Sequence, residues 1–409
     1  MSDFPKVVGL DTEYTIWQGL LYTNWGAGKG AFAIQEDNIE RVDRWLLRDK
    51  TNSKNWIRVS EDISKIINHI LKNGAQLAII SGQPTSHKAM TDRALYYFNA
   101  HDPKDGKEWS IIDLVTYNEV KPESKAQHWR RIREWSGRDY SEMLMFDDVG
   151  TNNLVRVELG VSFQLVRGLE ALNWDTYLRG LKAWQGAKKL AILANPSHVP
   201  NRVLLGYSGL PPFWIDLLRI GEGLVDTSTP YRWGYALYVA ASLTIAKFFR
   251  DWNDNYMKDK SFVCEVWVKD YDAWVNANKV WVPENDGNLP QTSTITATAE
   301  ETGNNQEDRD LFIGDNWHTP MPYVLFSQHH WFGGMPPPER RWTEMVVYTQ
   351  IYRTLFDVIP LADSDLKNVT ILEPFPFGKQ FKSWNIFLPP ETRAEFLRYG
   401  ETDLYNLST

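Results

Sequence analysis

The sequence has a single cysteine, Cys264, among 409 residues, so no disulfide can form within the chain. We expect Cys264 to be a small buried residue rather than a nucleophile. Low cysteine content fits a reducing compartment. The first residues, MSDFPKVVGLDTEY, also lack the basic start and apolar run of a secretory signal. Both observations predict a cytoplasmic location.

Long apolar runs and an excess of positive charge are also missing. The most apolar segment, Gly234–Phe249, is shorter than the roughly 20 residues that span a bilayer and contains Lys247, so we expect no membrane span. The formal net charge is -8, which disfavours nucleic acid as a partner because phosphate backbones bind to basic surfaces. Neither a nucleic acid nor a membrane is therefore an expected partner, and the oligomeric state stays open; the small-molecule partner is predicted from the motifs below.

Aromatic residues are abundant, at 13% of the chain with 19 tryptophans. Such residues fill hydrophobic cores and also line apolar ligand pockets. Because the tryptophans are spread through both halves of the chain, the composition does not distinguish between these two uses.

The N-terminal part alternates patterns typical of strands and helices, which predicts a Rossmann-like α/β domain with a parallel sheet over residues 1–185. The predicted helices are Ser60–Gly74, with Ser60 as its N-cap, and Gln127–Trp135. The predicted strands are Lys6–Leu10, Gln76–Ile80, Ile111–Val115, Met143–Phe146 and Val161–Val166.

A second domain is expected over residues 200–409, mostly α-helical and rich in aromatic residues. Its predicted helices are Phe213–Leu224, Trp233–Trp252, Arg341–Val358 and Glu391–Tyr399. The segment 283–310 is polar and rich in turn-forming residues, which predicts a flexible insert.

Four polar motifs follow the predicted strands of the first domain: Asp11-Thr12-Glu13, Ser81-Gly82, Lys125 and Asp147-Asp148. Ligands of open α/β sheets bind at the carboxyl ends of the strands. The combination suits phosphoryl transfer: one carboxylate attacks phosphorus, a second acid handles protons, and a hydroxyl and a lysine hold the oxygens. Further carboxylates suit Mg²⁺, which prefers oxygen ligands.

The order and the residues of these motifs resemble those of the haloacid dehalogenase superfamily, and in particular those of its magnesium-dependent phosphatase branch. DTEYTIW is similar to that branch's D-x-D-Y-T-L-W, and KPESKAQHW to its P-x-S-K-x-x-H-F with Trp129 in place of phenylalanine. The stretch beginning MFDDVGTN is similar to its F-D-D-x-x-x-N. The resemblance covers residues 5–170, and the C-terminal half resembles no family that we recognise.

The resemblance implies a Mg²⁺-dependent hydrolase that acts on a phosphate or diphosphate ester through an aspartyl-phosphate at Asp11. Glu13 takes the acid–base position, and its backbone carbonyl takes a metal-ligand position. Substrate-binding positions fall on Ser81, Gly82 and Lys125. Metal-ligand positions fall on Asp11, Asp147 and Asp148 as well as on Glu13.

Two departures from the family pattern bear on the predicted site. Glu13 stands where the branch has aspartate, and the sequence Ser81-Gly82-Gln83 stands where the branch has serine followed by arginine. The additional methylene of Glu13 displaces its carboxylate, and displacements of about an ångström can cost ~10²-fold in rate. We therefore expect slowed or altered chemistry, and a higher rate for Glu13→Asp.

Two alternatives stay open at this stage. The first is a haloacid dehalogenase-like fold with another use in secondary metabolism, as a terpenoid cyclase or a diphosphate-processing enzyme, in which aromatic faces stabilise carbocations. The second is a non-catalytic binding protein. An aromatic-walled cavity beside the acids would favour a cyclase, and a loss of Mg²⁺ binding would favour a binding protein.

Overall fold

The computed structural model describes residues 4–21, 25, 35–167, 171–193, 202–223, 233–257, 260–283, 299–330, 341–370, 372 and 379–389. The chain divides into two compact units. The first comprises Met1–Arg156 and Val161–Gln185, and the second comprises Val157–Gly160 and Gly186–Thr409. Among the described residues, no helix is both long enough and apolar enough to cross a bilayer.

The first unit alternates strands and helices along the chain. Its strands are β1 Val7–Leu10, β2 Trp17–Gln18, β3 Ile39–Arg41, β4 Leu46–Asp49, β5 Trp56–Val59, β6 Gln76–Ser81, β7 Asn99–His101, β8 Glu108–Ser110, β9 Tyr117–Val120, β10 Met143–Asp147 and β11 Ser162–Leu165. Its helices are α1 Ile63–Lys72, α2 Lys88–Tyr97, α3 Ile111–Leu114 and α4 Lys125–Ser136. Helices α5 Leu154–Leu159 and α6 Trp174–Leu193 each cross a boundary between the units.

The central sheet of the first unit has the strand order β11-β10-β1-β6-β9, and all of its pairings are parallel. Strand β1 lies in the middle, and every one of its residues is buried. Strands that are covered on both faces have continuous apolar sequences. The segments VVGL of β1 and MLMF of β10 could therefore be predicted as buried strands. The predicted Rossmann-like parallel sheet is confirmed.

Helix α1 buries the apolar stripe Ile63, Ile66, Ile67 and Ile70, as its periodicity predicted. The expected N-cap was wrong: Asp62 precedes the helix. Ser60 instead donates a hydrogen bond from Oγ to the Leu172 carbonyl, because a neighbouring segment of the same unit offers this acceptor.

The segment Ile111–Val115 is helical rather than a strand. Ile111–Leu114 forms α3 after Ser110, and the fifth strand of the sheet is Tyr117–Val120. A short apolar run fits a buried strand and a buried helical turn equally well, so periodicity could not separate them. The pairing of β9 with β6, which starts at Tyr117 opposite Ala78, decided the outcome.

The stretch between β1 and α1 forms a second sheet. Strands β2, β5, β4 and β3 pair in that order, and their pairings are antiparallel. Its buried residues, including Ile39, Leu47 and Ile57, belong to the same hydrophobic core as α1 and β6. A short hairpin of β7 and β8 follows α2.

The second unit contains helices, as predicted, and in addition a sheet that the sequence did not predict. The helices are α7 Pro212–Arg219, α8 Leu243–Met257, α9 Tyr271–Asn276, α10 Ala299–Asn316, α11 Thr349–Leu355 and α12 Lys379–Ser383. The strands are β12 Val203–Leu210, β13 Leu237–Ala240, β14 Phe262–Val268, β15 Asn278–Trp281, β16 Tyr323–His330, β17 Arg341–Val347 and β18 Phe356–Pro360. In the described residues they form one seven-stranded sheet, in the order β15-β16-β17-β13-β12-β14-β18.

Two predicted helices of this unit contain strands. Within the predicted helix Trp233–Trp252, the residues Leu237–Ala240 form a strand that pairs with β17. Helix α8 begins only after this strand, at Leu243, and continues to Met257. The predicted helix Arg341–Val358 is divided into β17, α11 and β18. Pairing between distant strands outweighs local preference here.

Alternate residues of β16 belong to different core clusters, Val324 and Phe326 to one and Tyr323 and Leu325 to the other, so both faces of the sheet are covered. Most of the predicted insert 283–310 lies outside the described residues, as does Glu391–Tyr399. From Ala299 onward the insert is helical, in α10.

Candidate active site

Three of the polar motifs lie at one edge of the central sheet. Leu10, the last residue of β1, pairs with Ile79 of β6 and Phe146 of β10. Asp11 therefore follows β1 beside Asp147, the last residue of β10. Ser81 ends β6 at the same edge. The parallel register, rather than proximity in sequence, brings these groups together.

Lys125 connects this edge to helix α4, of which it is the first residue. Ser124 and Gln127 form a capping box that fixes where the helix begins, and Gly137 ends it in the left-handed conformation. The Lys125 ammonium donates to Asp11 Oδ1 and to the Ile80 carbonyl, each at 2.5 Å. It also lies 3.1 Å from Asp147 Oδ2.

The loop after β10 orients Asp147. Its Oδ1 accepts hydrogen bonds from the Val149 backbone N–H at 2.8 Å and from Asn152 Nδ2 at 2.9 Å. Asp147 is fully buried, and its Oδ2 faces Lys125. The neighbouring Asp148 is partly exposed.

Asp11, Asp147 and Asp148 place carboxylate oxygens within 4.8 Å of one another. Burial raises the pKa of Asp11 to about 6, although Lys125 opposes the shift. Burial, followed by repulsion from Asp147, raises the pKa of Asp148 to about 8. Burial alone would lower the pKa of Lys125, but Asp11 and Asp147 outweigh this effect and raise it.

The Lys125 ammonium thus faces three crowded carboxylates. Burial raises the pKa values of Asp11 and Asp148, and repulsion from Asp147 adds to this effect. Carboxylate oxygens at this spacing are the donor set of a hard divalent cation. The residues present therefore fit a magnesium-type site.

The predicted substrate-binding turn begins at Ser81. Ser81 is buried, and its Oγ accepts a hydrogen bond from Thr12 Oγ1 at 3.1 Å. Gly82 follows with an exposed backbone, and a Cβ there would meet only the Glu123 carbonyl at 3.8 Å. The turn beside Asp11 thus combines an oriented hydroxyl with an accessible peptide.

Glu13 lies beside Asp11 and is 9% exposed. Burial raises its pKa to about 7, against the opposing hydrogen bond from the Leu21 backbone. That bond joins Leu21 N–H to Glu13 Oε1 at 2.8 Å. A carboxyl group with this pKa can both donate and accept a proton near neutral pH.

The N-terminal unit is similar to known proteins. A family model described as acid phosphatase matches residues 3–187. A HAD-like hydrolase superfamily protein of Schizosaccharomyces pombe is 31% identical over 177 residues, which are 43% of this chain and 94% of that protein. The chain belongs to the haloacid dehalogenase (HAD)-like hydrolase superfamily. Its N-terminal unit is a phosphatase-like hydrolase, as the motifs predicted.

Two further proteins are similar to the HAD-like unit. Human magnesium-dependent phosphatase 1 is 20% identical over 188 residues, which are 46% of this chain and 92% of that protein. A crystal structure of the N-terminal part of a Bacteroides fragilis protein, described as containing a phosphatase domain complexed with Mg, is 17% identical. It superimposes with a TM-score of 0.29 over 44% of this chain and 40% of that chain.

The structure adds three side chains to the predicted set of the HAD-like site. Thr12 donates to Ser81, Asn152 donates to Asp147, and Gln83 is buried in the turn that follows Ser81. Each lies within five residues of a predicted site residue along the chain. The motif spacing could have marked them as neighbours, but their hydrogen-bond partners depend on the fold.

Two further residues of helix α4, His128 and Arg131, interact with acidic residues that precede the helix. His128 is fully buried, with Nδ1 3.4 Å from Glu119 Oε2. Arg131 donates from Nε to Glu119 at 2.9 Å and also binds Glu123. Burial, and then the charge of Lys125, lowers the pKa of His128 to about 4, so the imidazole is neutral at physiological pH.

Proposed function

We propose that the N-terminal unit hydrolyses phosphate or diphosphate esters through an aspartyl-phosphate at Asp11, with Mg²⁺ as its cofactor. The observation that carries the proposal is the position of the Lys125 ammonium, 2.5 Å from Asp11 Oδ1 and 3.1 Å from Asp147 Oδ2 at the edge of the sheet. Membership of the superfamily favours this hydrolase over the cyclase and binding-protein alternatives.

In the first half-reaction, a carboxylate oxygen of Asp11 attacks phosphorus and the bond from phosphorus to the leaving oxygen breaks. Protonated Glu13 donates its proton to that oxygen, so the product leaves as an alcohol or, from a diphosphate, as a phosphate. Lys125 holds Asp11 in place by its hydrogen bond to Oδ1.

In the second half-reaction, Glu13 accepts a proton from a water molecule that attacks phosphorus. The bond between phosphorus and the Asp11 oxygen breaks, which releases inorganic phosphate and restores the carboxylate. Glu13 ends this step protonated, ready for the next cycle. Its pKa of about 7 allows both roles at neutral pH.

Asp11, Asp147 and Asp148 would hold Mg²⁺, together with the backbone carbonyl of Glu13, which the family resemblance implies. When bound, Mg²⁺ supplies positive charge that neutralises the oxygens of the transferring phosphoryl group. Ser81, the Gly82 peptide and Lys125 provide hydrogen-bond donors for the same oxygens.

Release of inorganic phosphate from a broad panel of phosphate and diphosphate esters, with and without Mg²⁺, tests the proposal. Asp11→Asn should abolish release, because an amide cannot attack phosphorus. Asp113→Asn is the matched control, since Asp113 is exposed on α3. Absence of release from the whole panel by the wild type with Mg²⁺ would refute hydrolysis, and full activity of Asp11→Asn would refute the aspartyl intermediate.

A further inference from the structure

A polar pocket of about 420 Å³ lies within the second unit. Its walls come from helix α8, from the residues that directly precede β14, and from the loop with the short 3-10 turn Asp365–Lys367 that follows β18. Six of its eight described wall residues are charged: Lys247, Arg250, Asp254, Lys260, Asp363 and Lys367.

The three walls of the pocket are packed on one another. The Leu361 N–H donates to the Val263 carbonyl at 2.9 Å, which joins the loop after β18 to β14. Leu366 packs against the hydrophobic cluster that contains Ala246 of α8 and Val263 of β14. The charged side chains therefore stand on elements that share one hydrophobic cluster.

Positive charge exceeds negative charge in this pocket. Four cationic and two acidic side chains give a formal excess of two positive charges, in a chain whose net charge is -8. A concave surface with a local excess of positive charge attracts anions. The pocket thus differs in sign from the chain as a whole.

Both carboxylates of the pocket already have partners. Asp254 Oδ1 accepts a hydrogen bond from the Ser261 backbone N–H at 2.5 Å. Asp363 lies between two cations, with Oδ1 3.3 Å from Arg250 Nη1 and Oδ2 3.5 Å from Lys260 Nζ. The two acids are therefore engaged by groups other than the remaining lysines.

The remaining lysines of the pocket are Lys247 and Lys367. Across the described ranges of the chain, no carboxylate oxygen lies within 4.0 Å of either ammonium group. Lys247 belongs to α8, and Lys367 to the turn after β18. Because both line the same pocket, one bound anion can contact both.

Ser261 adds a hydroxyl group to the wall of the pocket. The residue is 2% exposed, and its buried Oγ has no hydrogen-bond partner among the described residues. A buried hydroxyl that makes no hydrogen bond is unfavourable, and a ligand oxygen in the pocket would offer it an acceptor. An observation that is independent of the lysines thus also indicates an oxygen-rich ligand.

The composition of the walls limits the kind of ligand. Leu366 is the one apolar side chain among the described wall residues, and none of these residues is aromatic. A flat ring would find no stacking partner here, and an acyl chain would find no apolar wall. Lysine binds phosphate groups as a compact point charge. A small, soluble anion with at least two negative charges therefore fits best.

We propose that the pocket of the second unit binds a small multivalent oxyanion of the phosphate class, held by Lys247 and Lys367 with Ser261 as a further donor. The pocket and Asp11 belong to different units, so this inference does not rest on the proposed hydrolase function.

Isothermal titration calorimetry with inorganic pyrophosphate, on the full chain in EDTA, tests the site. The wild type should bind with a Kd below about 1 mM. Lys247→Gln/Lys367→Gln should weaken binding at least about 10-fold, because two charged hydrogen-bond donors are lost.

Lys269→Gln/Lys382→Gln is the matched control, since it removes the same charge at two lysines that do not line the described part of the pocket. Its Kd should stay within about twofold of wild type, because salt screens charges at a distance. Acetate, with a single charge, should bind at least about 10-fold more weakly than pyrophosphate, because it can use only one lysine.

Hydrogen exchange of the wild type locates the bound anion without any substitution. Pyrophosphate in EDTA should slow exchange by about twofold or more in peptides from 243–257 and 361–368, because bound ligand suppresses local opening. Peptides from 5–21, which contain Asp11, should be unchanged, since the carboxylates of the HAD-like site repel an anion when Mg²⁺ is removed.

Four results would overturn the proposal. The first is neither binding heat nor protection with pyrophosphate up to about 10 mM. The second is an equal loss of affinity in the two double variants. The third is protection confined to 5–21, which would assign the binding to the HAD-like site. The fourth is equal affinity for acetate and pyrophosphate, which would exclude a site for multivalent anions.

Discussion

Lys125 Nζ donates a hydrogen bond to Asp11 Oδ1 at 2.5 Å, which joins the first residue of helix α4 to the residue that follows strand β1. The same ammonium lies 3.1 Å from Asp147 Oδ2. Lys125 is only 6% exposed, so the three charges interact with little screening by water. The lysine is therefore central both to the stability of this edge of the sheet and to the proposed chemistry.

Replacing Lys125 by methionine should impair stability and activity together. The substitution leaves Asp11 and Asp147 buried without their cation, and breaking a buried ion pair in this way costs about 3–5 kcal/mol. Urea unfolding in EDTA measures the stability. With Mg²⁺, kcat/KM should fall by about 10²-fold or more, because a donor to the phosphoryl oxygens is lost. Lys72→Met, at an exposed position of α1, should change neither quantity, and equal stability of the two variants would contradict the role of Lys125.

Asp148→Asn should stabilise the metal-free protein at pH 8 more than at pH 5. The folded-state pKa of about 8 lies above the ordinary 3.8. The unfolded state therefore loses its proton first, and stability falls as the pH rises from about 4 to 8. Asparagine removes this loss, so at pH 8 in EDTA the variant should be more stable by about 1 kcal/mol or more.

Excess Mg²⁺ supplies the matched control for Asp148→Asn. The wild type should gain more thermal stability from Mg²⁺ than the variant, because a ligand stabilises the folded state that binds it. An equal gain in both proteins, or an equal effect of the substitution at pH 5 and pH 8, would show that Asp148 does not share the carboxylate cluster.

His128→Gln should reduce the loss of stability in acid. The folded-state pKa of about 4 lies below the ordinary 6.5, mainly because the ring is buried. Between these values the unfolded state binds a proton that the folded state does not, so the stability contributed by the neutral ring is lost as the pH falls from 6.5 to 4. Between pH 6.5 and pH 4, the free energy of unfolding of the variant should therefore rise relative to that of the wild type by on the order of 1–3 kcal/mol.

The comparison with wild type removes the contributions of the site carboxylates, which titrate in both proteins. Lys125, Glu119 and Arg131 face His128, and they too are unchanged in the variant. His101→Gln, at a half-exposed ring, is the control for the loss of an imidazole as such. Parallel stability curves for His128→Gln and wild type between pH 4 and 6.5 would contradict the prediction.

Gly9→Ala should destabilise the first unit by about 1–3 kcal/mol through overpacking. A Cβ at Gly9 would lie 2.6 Å from Ile80 Cδ1 and 2.7 Å from the Trp129 ring. Adding Trp129→Phe, which restores the family residue, gives space for the methyl group. The double variant should therefore lose less stability than the sum of the two single variants.

Chemical denaturation of the four proteins in this cycle gives the coupling free energy. Gly314→Ala in α10 serves as the control, because a Cβ there makes only an ordinary contact, at 3.8 Å with Pro320. Strict additivity of Gly9→Ala and Trp129→Phe would show that the large ring at position 129 does not require the glycine.

The sequence by itself determined the order of the motifs and the strands that precede them. Apolar runs such as Val7–Leu10 and Met143–Phe146 are local signals, and the carboxyl ends of parallel strands share one edge of a sheet. Asp11 and Asp147 could therefore be assigned to a common site before any distance was known. The sequence also showed that Glu13 and the turn Ser81-Gly82-Gln83 depart from the pattern of this family.

Only the tertiary structure decided that Thr12 donates a hydrogen bond to Ser81, since 69 positions of the chain separate them and no local pattern links them. The same holds for the second unit, where Leu237–Ala240 became a strand by pairing with residues of β17 more than 100 positions away. Periodicity records which face of a segment is buried, but not the partner that buries it. Long-range pairing depends on how the whole chain packs, and that information is not contained in any single segment.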